Sequence, residues 1–227
     1  MADSLESLTE EIVRCERCPR LVEWRAEAAA NPPRRYRGEK YWGRPLPGFG
    51  DPGAGVVLVG LAPAAHGGNR TGRIFTGDRS GDFLFAALYR AGFASQPTST
   101  SRVDGQRLTD CFISAAVRCA PPANRPTPAE RDNCLPWAAA ELTLLEELRV
   151  VVCLGAFAWD AALRLHALTG SPPPRPRPRF AHGSEWAGER WTLLGSYHPS
   201  QQNTFTGKLT PSMIDAVLAR AGALAVT

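Results

Sequence analysis

Residues 56–92 constrain the fold of this chain more than any other stretch. They begin with an apolar run at residues 56–61, which predicts a buried strand. A glycine-rich polar loop follows, and then a segment with apolar residues at helical spacing that ends at Gly92, a typical helix stop. A strand, a glycine-rich loop and a helix in this order indicate a ligand site at the carboxyl end of a parallel strand.

The rest of the chain repeats this order of elements. Apolar runs at residues 111–116, 150–154 and 191–196 predict three more strands. Helices are predicted at 127–148, 156–168 and 212–225, and Thr127-Pro128 and Thr210-Pro211 are typical helix starts. Four strand–loop–helix units predict an α/β protein, a three-layer α/β/α fold with a central parallel sheet of about four strands.

The first 55 residues differ from the rest in composition. Ser7 to Glu10 fits a capping box that opens a short helix through Val13. Residues 31–55 are rich in proline, glycine and basic residues, which predicts an irregular but ordered loop, and residues 171–179 predict an extended proline-rich segment. We therefore expect a single domain over residues 1–227, in which residues 1–55 form a basic extension packed on the core.

Charge and hydropathy exclude some classes of protein. The net charge is +4, but residues 14–44 hold nine Lys or Arg against four Glu, and residues 175–179 hold three Arg without an acid. Two basic loops suit a phosphate backbone, although a solvated surface explains either loop alone. No apolar run approaches a membrane span, and the acidic N-terminus is unlike a secretory signal. We expect a cytoplasmic monomer with no membrane partner, whose cysteines are not in disulfides.

The six cysteines fall into two groups. Cys111 and Cys153 lie inside predicted strands, which is typical of buried thiols. The other four form one C-x2-C pair and one widely spaced pair: Cys15, Cys18, Cys119 and Cys134. Four thiolates can hold either a structural Zn²⁺ or an iron–sulfur cluster, and the single tight pair favours a cluster. Four unrelated cysteines remain the alternative.

Polar loops follow three of the predicted strands, at residues 62–78, 117–126 and 197–206. Because parallel strands end at one edge of a sheet, these loops would form a shared site. Each of their prominent residues also has an ordinary structural interpretation, as a helix cap, a turn, a core aromatic or a satisfied histidine: Phe75, Asp78, Asn124, His198, Ser200 and Asn203.

Three long motifs in these loops resemble family 5 of the uracil-DNA glycosylase superfamily, the type B enzymes. They are GLAPAAHGGNRTGRIFTGD, VRCAPPANRPTP and SYHPSQQNTFTGKL, and the similarity extends over residues 10–214. The resemblance implies a uracil-DNA glycosylase-like fold. The cysteines are also similar to those of the iron–sulfur family 4 enzymes, which implies a structural [4Fe-4S] cluster rather than zinc on Cys15, Cys18, Cys119 and Cys134.

The same resemblance implies a monofunctional DNA glycosylase that hydrolyses the N-glycosidic bond of uracil and other deaminated bases, such as hypoxanthine, and so begins base excision repair. The superfamily's usual water-positioning site is Ala64-Ala65 here, so Asp78 would supply the carboxylate near C1′. His198 would donate to the base O2, Asn124 would bind the base's polar edge, and Phe75 would stack on the flipped base. Other motif members would surround the substrate: Gly60, Ala62, Ala64, Gly67, Gly68, Asn69, Arg70, Ser200 and Asn203.

Other functions fit the sequence less well. A P-loop needs Lys and a hydroxyl after its last glycine, but Gly72 is followed by Arg73-Ile74. The two lysines, Lys40 and Lys208, lie outside the cores of the three loops, which argues against Schiff-base lyase chemistry. A non-catalytic iron–sulfur DNA-binding module is the main alternative, but it would not need polar residues at three strand ends.

Overall fold

A computed structural model describes residues 3–226 of the chain. The strands of its sheet are β1 Phe49–Gly50, β2 Val56–Gly60, β3 Cys111–Ala115, β4 Val150–Leu154, β5 Glu185–Ala187 and β6 Thr192–Ser196. Its α-helices are α1 Leu5–Val13, α2 Pro19–Ala30, α3 Gly68–Thr71, α4 Arg79–Arg90, α5 Pro128–Leu144, α6 Ala156–Leu168, α7 Gln201–Phe205 and α8 Pro211–Ala225.

The sheet has the strand order β1-β3-β2-β4-β6-β5. Its four central strands are parallel, with Val56 opposite both Cys111 on β3 and Val150 on β4. This confirms the four predicted strands. The outer strands β1 and β5 are antiparallel to their neighbours and were not predicted, because runs of two and three residues carry no readable periodicity.

Helices cover both faces of the sheet and make three layers. Val56 and Leu58 face α4 and α8 in one core cluster, whereas Val57 and Val59 face α5 and α6 in another. Alternate residues of one strand therefore enter different cores. This is why the central strands appear as continuous apolar runs rather than as alternating patterns.

The helix starts were predicted with mixed success. Thr127 and Thr210 cap α5 and α8 as expected. The capping box predicted at Ser7 to Glu10 is wrong: Ser4 is the N-cap, and its side chain accepts from the Ser7 amide at 3.2 Å. The Ser7 hydroxyl takes the place usually held by Glu or Gln, so the box begins three residues earlier than its usual signature indicates.

The N-terminal extension is more helical than the sequence indicated. Helix α2 was not predicted, although Pro19 at its first position is a typical start. Residues 31–55 form the expected irregular loop, apart from β1 and a 3₁₀ turn at Arg34–Tyr36. The extension is held on the core by contacts that include the packing of α1 on α5 and of α2 on α3. No described helix combines the length and apolar character that crossing a membrane requires.

His166 on α6 is buried, and its burial makes the folded protein less stable at acidic pH. Its ring lies 4.8 Å from that of Trp186 and 4.7 Å from that of Trp191, and neither ring nitrogen has a hydrogen-bond partner among residues 3–226. Burial lowers the pKa of His166 to about 4. Below the unfolded-state value near 6.5, the unfolded chain binds a proton that the native chain does not, so native stability falls as the pH drops from about 6.5 toward 4.

We expect His166→Phe to remove this part of the pH dependence. Between pH 7 and pH 5 the wild-type chain should lose on the order of 2 kcal/mol through this histidine, and the variant should not. Urea unfolding at the two pH values measures the difference. An equal loss in both proteins would show that His166 is already accessible to protons in the native state.

Candidate active site

The carboxyl ends of β2, β3 and β6 surround a cavity of about 530 Å³. It is bordered by all three polar loops, so the strand ends bring residues from distant parts of the sequence together. The expected site residues that line it are Gly60, Ala62, Ala64, Phe75, Asp78, Asn124, His198 and Ser200. The volume is in the usual range for small-molecule pockets, and the lining combines an aromatic ring with a few polar groups.

Asp78 is a helix N-cap, which is one of the two interpretations that the sequence left open, and its side chain also borders the cavity. Its side chain caps α4 by accepting from the Gly81 amide at 3.0 Å, and it also lies in the cavity wall. A Cβ atom at Gly67 would come 2.0 Å from Asp78 Oδ2, so only glycine leaves room for this carboxylate. Burial raises the pKa of Asp78, and the amide donors of Gly81 and Ser80 offset the effect only in part.

Phe75 forms one face of the cavity in a strained conformation. Its φ is +52°, in the left-handed region that residues other than glycine rarely adopt. Its ring packs on Gly60, where a Cβ would lie 2.8 Å from Phe75 Cε2, and its centroid is 5.9 Å from that of His198. Strain of this kind is often retained at functional sites, where the surrounding structure holds one side chain in place.

Asn124 reaches the cavity from the loop after β3. It and Ala123 both have positive φ, +55° and +51°, in a 3₁₀ turn at Pro122–Asn124. Asn adopts this conformation more readily than most residues. Its side-chain amide makes no hydrogen bond to other residues between 3 and 226, and so it can donate to and accept from a ligand.

His198 follows β6, and a hydrogen bond to its backbone carbonyl helps to fix its position. The Asn203 side chain donates to the His198 carbonyl at 2.8 Å, and Ser200 caps α7 by accepting from the Asn203 amide at 3.4 Å. Asn203 thus supports the loop without lining the cavity. Ser200 both caps α7 and lines the cavity. Burial lowers the pKa of His198 to about 4, so its ring is neutral near pH 7.

Three expected substrate contacts instead shape the loop. Gly68 is buried, and a Cβ there would lie 2.9 Å from Leu46 Cδ2. Asn69 is buried and donates to the carbonyls of Arg25 and Ala65 at 3.2 and 3.4 Å. Arg70 donates to backbone carbonyls of the same loop. None of the three lines the cavity, and nothing in the sequence separates loop-shaping residues from lining residues within one motif.

A second cavity of about 700 Å³ adjoins the first. The two share four lining residues: Ala64, Asp78, Asn124 and Gln201. The second cavity adds residues that sequence reasoning did not select, namely Arg35, Tyr36, His66, Arg79, Asp82 and Phe205, and Gln202 and Ser80 line the first. Gln201 and Gln202 could have been identified from their place directly after His198-Pro199-Ser200.

Both basic segments of the sequence lie near this edge of the sheet. Arg35 borders the second cavity. The proline-rich segment is attached to the first turn of α6, because Trp159 donates to the Pro178 carbonyl at 3.0 Å and Arg177 pairs with Asp160 at 3.6 Å. Helix α6 begins where β4 ends, at the same edge as the cavities.

The four non-strand cysteines meet at one small cavity between α2 and α5, formed by Cys15, Cys18, Cys119 and Cys134 with neighbouring side chains. Each sulfur has an N–H donor nearby. Arg25 lies 3.0 Å from Cys119 Sγ and the Arg118 amide 3.2 Å from Cys134 Sγ; Trp137 Nε1 is 3.4 Å from Cys15 and Asn133 Nδ2 is 3.8 Å from Cys18.

Four sulfurs line one space and each has an N–H donor nearby, and thiolates with such donors are the ligands that iron–sulfur clusters use. Burial raises the pKa of Cys119 to about 11 and that of Cys134 to about 12, so both need a cation to become thiolates near neutral pH. As they stand, no three His, Cys, Asp or Glu side chains among the described residues could hold a metal ion. Cys111 and Cys153 are fully buried in β3 and β4, as expected.

Comparison with known proteins identifies the family of this chain. The uracil DNA glycosylase superfamily model matches residues 47–222. A type-5 uracil-DNA glycosylase of Mycobacterium tuberculosis is 52% identical over 228 residues, which cover 99% of this chain and 83% of that protein. One from Thermus thermophilus is 50% identical over 222 residues, with 97% and 98% covered.

A more distant relative is a type-4 uracil-DNA glycosylase of Archaeoglobus fulgidus, 29% identical over 156 residues, with 68% of this chain and 70% of that protein covered. The type-5 relatives match nearly the whole chain at about half of its positions, and this stretch includes all three loops around the cavity. The chain therefore belongs to the uracil DNA glycosylase superfamily and, within it, to the type-5 uracil-DNA glycosylases.

Proposed function

We propose that this enzyme hydrolyses the N-glycosidic bond of uracil in DNA and that it also accepts other deaminated bases, such as hypoxanthine. The observation that carries the proposal is the cavity in which Phe75, Asp78, Asn124 and His198 meet from three strand ends. The type-5 relatives are uracil-DNA glycosylases, which supports uracil as a substrate.

Asp78 activates the water in this mechanism. Its ionised carboxylate takes a proton from water as the water oxygen bonds to C1′, and the bond from C1′ to the base nitrogen breaks with its electron pair going to the base. The carboxylate also stabilises the cation-like sugar, as in glycoside hydrolysis. A carboxyl group whose pKa is raised by burial is a better base near neutral pH than an ordinary aspartate.

His198 and Asn124 bind the departing base. Negative charge collects on the base oxygens as the bond breaks, and a fixed neutral N–H donor stabilises it without charge of its own. The lowered pKa of His198 keeps its ring in that neutral form. The side-chain amide of Asn124 offers both a donor and an acceptor to the polar edge of the base, and Phe75 stacks on the face of the base.

Three small residues in the cavity lining support a broad choice of base. Ala62 and Ala64 present only methyl groups to the cavity, and Gly60 presents none. A wall without hydrogen-bonding side chains does not penalise a purine that lacks the uracil pattern of donors and acceptors. On this argument hypoxanthine fits as well as uracil.

The four cysteines would hold a [4Fe-4S] cluster, each supplying one thiolate. The donor set supports this assignment, because every sulfur has an N–H group within hydrogen-bonding range or close to it. Through these ligands, Cys15 and Cys18 of the N-terminal segment would be linked to Cys119 and Cys134 in the loop and helix after β3. Iron analysis and the visible absorbance of protein purified without oxygen test the assignment. Cys134→Ser should lose the cluster. Cys111→Ser is the matched control and should retain it.

The function is tested on labelled duplexes with one U·G or one hypoxanthine·T pair, followed by alkali to break abasic sites. Cleavage of both supports the full proposal, and cleavage of the uracil duplex alone would remove the broad base acceptance. Folded, cluster-containing protein that binds DNA and cleaves neither duplex would support the alternative, a non-catalytic iron–sulfur DNA-binding module.

A further inference from the structure

Arg70 lies between the two ends of the loop that carries Asp78. Its Nε donates to the His66 carbonyl at 2.9 Å, and one terminal nitrogen donates to the Gly77 carbonyl at 3.0 Å. Gly77 directly precedes Asp78 in the chain. One rigid guanidinium group therefore joins the beginning of the loop to the residue next to the catalytic carboxylate.

Two residues of the N-terminal extension contact the guanidinium group of Arg70. Its other terminal nitrogen pairs with Glu39 at 2.7 Å, and its central carbon lies 4.2 Å from the ring centroid of Tyr36. The Arg70 side chain is only 14% exposed. It does not line either cavity, so it is a part of the framework and not a wall of the site.

The contact to Gly77 leaves little freedom to Asp78. Gly77 has φ of +76°, and a Cβ atom there would lie 2.5 Å from the Arg70 guanidinium. On its other side, Asp78 is tied to the first turn of α4 through the Gly81 amide. The carboxylate is thus placed by one anchor before it in the sequence and one after it.

Arg70 also acts on the charge of Asp78. Its cation lowers the pKa of that carboxyl group, whereas burial, the largest effect, and the neighbouring Asp82 raise it. The other charged or titratable groups around the adjoining cavity are Arg35, Tyr36, His66 and Arg79, and His198 lines the base cavity.

We propose that Arg70 is a positioning residue for the reaction, which fixes the carboxylate of Asp78 at the cavity wall through the carbonyls of His66 and Gly77 and does not contact DNA. This inference rests on the proposed function of Asp78 as the water-activating group.

The test separates the guanidinium geometry from its charge. Arg70→Lys keeps a cation but lacks the rigid planar group that reaches the two carbonyls from two separate nitrogens, and Arg70→Met removes both the charge and the donors. We expect single-turnover uracil release to slow by roughly 10- to 100-fold in both variants, because small misplacements of a catalytic group have effects of this size. Affinity for a duplex with an uncleavable uracil analogue should stay within about 2-fold of the wild-type value, as no DNA contact is lost.

The pH profile supplies a readout that a purely structural role would not change. In Arg70→Met the acid limb of the rate profile should move to higher pH, since the cation that lowers the Asp78 pKa is gone, whereas Arg70→Lys should keep the wild-type limb. Arg90→Gln, which alters an exposed arginine paired with Asp215 at the far end of α4, is the matched control and should match wild-type rates.

The outcomes are distinguishable from failure of the proposed function, which would appear as an inactive wild-type enzyme. With an active wild-type enzyme, weaker DNA binding at an unchanged rate would make Arg70 a DNA contact and overturn the inference. So would an unchanged rate and profile. If both Arg70 variants fail to fold, Glu39→Gln removes only the outer support at a half-exposed site, and a slower rate at equal affinity is expected there.

Discussion

Asp78→Asn is expected to slow uracil release by on the order of 10²–10⁴-fold while the folded structure and DNA binding are kept. The substitution separates the two roles of this side chain. Asn caps helices about as well as Asp, so α4 keeps its N-cap bond to the Gly81 amide. What is lost is the negative charge and the ability to take a proton from water. Single-turnover cleavage of a U·G duplex measures the effect, with binding measured on an uncleavable analogue.

The pH dependence gives a second check on the same residue. Because burial raises the Asp78 pKa, the wild-type rate should begin to fall at a higher pH than an ordinary aspartate would cause, and this limb should be absent in the variant. The raised pKa of Asp78 has the opposite effect on the pH dependence of folding stability: the rate increases with pH, but stability decreases. A folded-state pKa above the unfolded value means that stability is lost as the pH rises through that range, so at pH 7.5 the Asn variant should be at least as stable as wild type.

Asp215→Asn is a suitable control, because it makes the same chemical change at an exposed pair on α8. Its cleavage rate should equal the wild-type rate. If Asp78→Asn retained full activity, the carboxylate would be only a helix cap, and another group in the cavity would have to activate water.

The largest stability effect is expected at Glu141, with Glu141→Ala lowering the free energy of unfolding by about 3–5 kcal/mol. Glu141 and Arg118 form an ion pair whose side chains are 2% and 1% exposed. The carboxylate also accepts from the Gly48 amide at 2.7 Å and the Ser114 hydroxyl at 3.0 Å. Truncating Glu141 leaves the Arg118 charge buried without a partner, which costs more than the pair itself contributes.

For a chain of this length, the loss corresponds to a fall in Tm of roughly 6–20 °C, measured by calorimetry. The exposed pair Arg90–Asp215 gives the contrast, since Asp215→Ala should cost less than about 1 kcal/mol. Replacing both buried partners, as Arg118→Met with Glu141→Leu, should restore much of the stability. A small effect of Glu141→Ala alone would mean that water reaches Arg118.

The same pair connects the fold to the cysteine site. The Arg118 amide donates to Cys134 Sγ, and its carbonyl accepts from the Leu46 amide at 2.8 Å. Cys134 and Glu141 both lie on α5. The proposed cluster should therefore lose absorbance in Glu141→Ala, in addition to the lower Tm.

The local sequence determined the central strands and the starts of two helices. The four apolar runs became the four parallel strands because each is buried on both faces, and the Thr127 and Thr210 caps stand where their side chains reach the third amide of the helix. The polar loops after the strands met at one cavity because parallel strands end at the same edge.

Tertiary structure decided which members of each motif face the cavity. Asn69 and Arg70 stand in the same motif as Phe75 and Asp78, yet they bond to backbone carbonyls and lie outside the cavity lining. The sequence contains the residue types but not the distances between side chains far apart in the chain. The pairing of Arg70 with Glu39, and of Arg118 with Glu141, exists only once the N-terminal extension and α5 have packed.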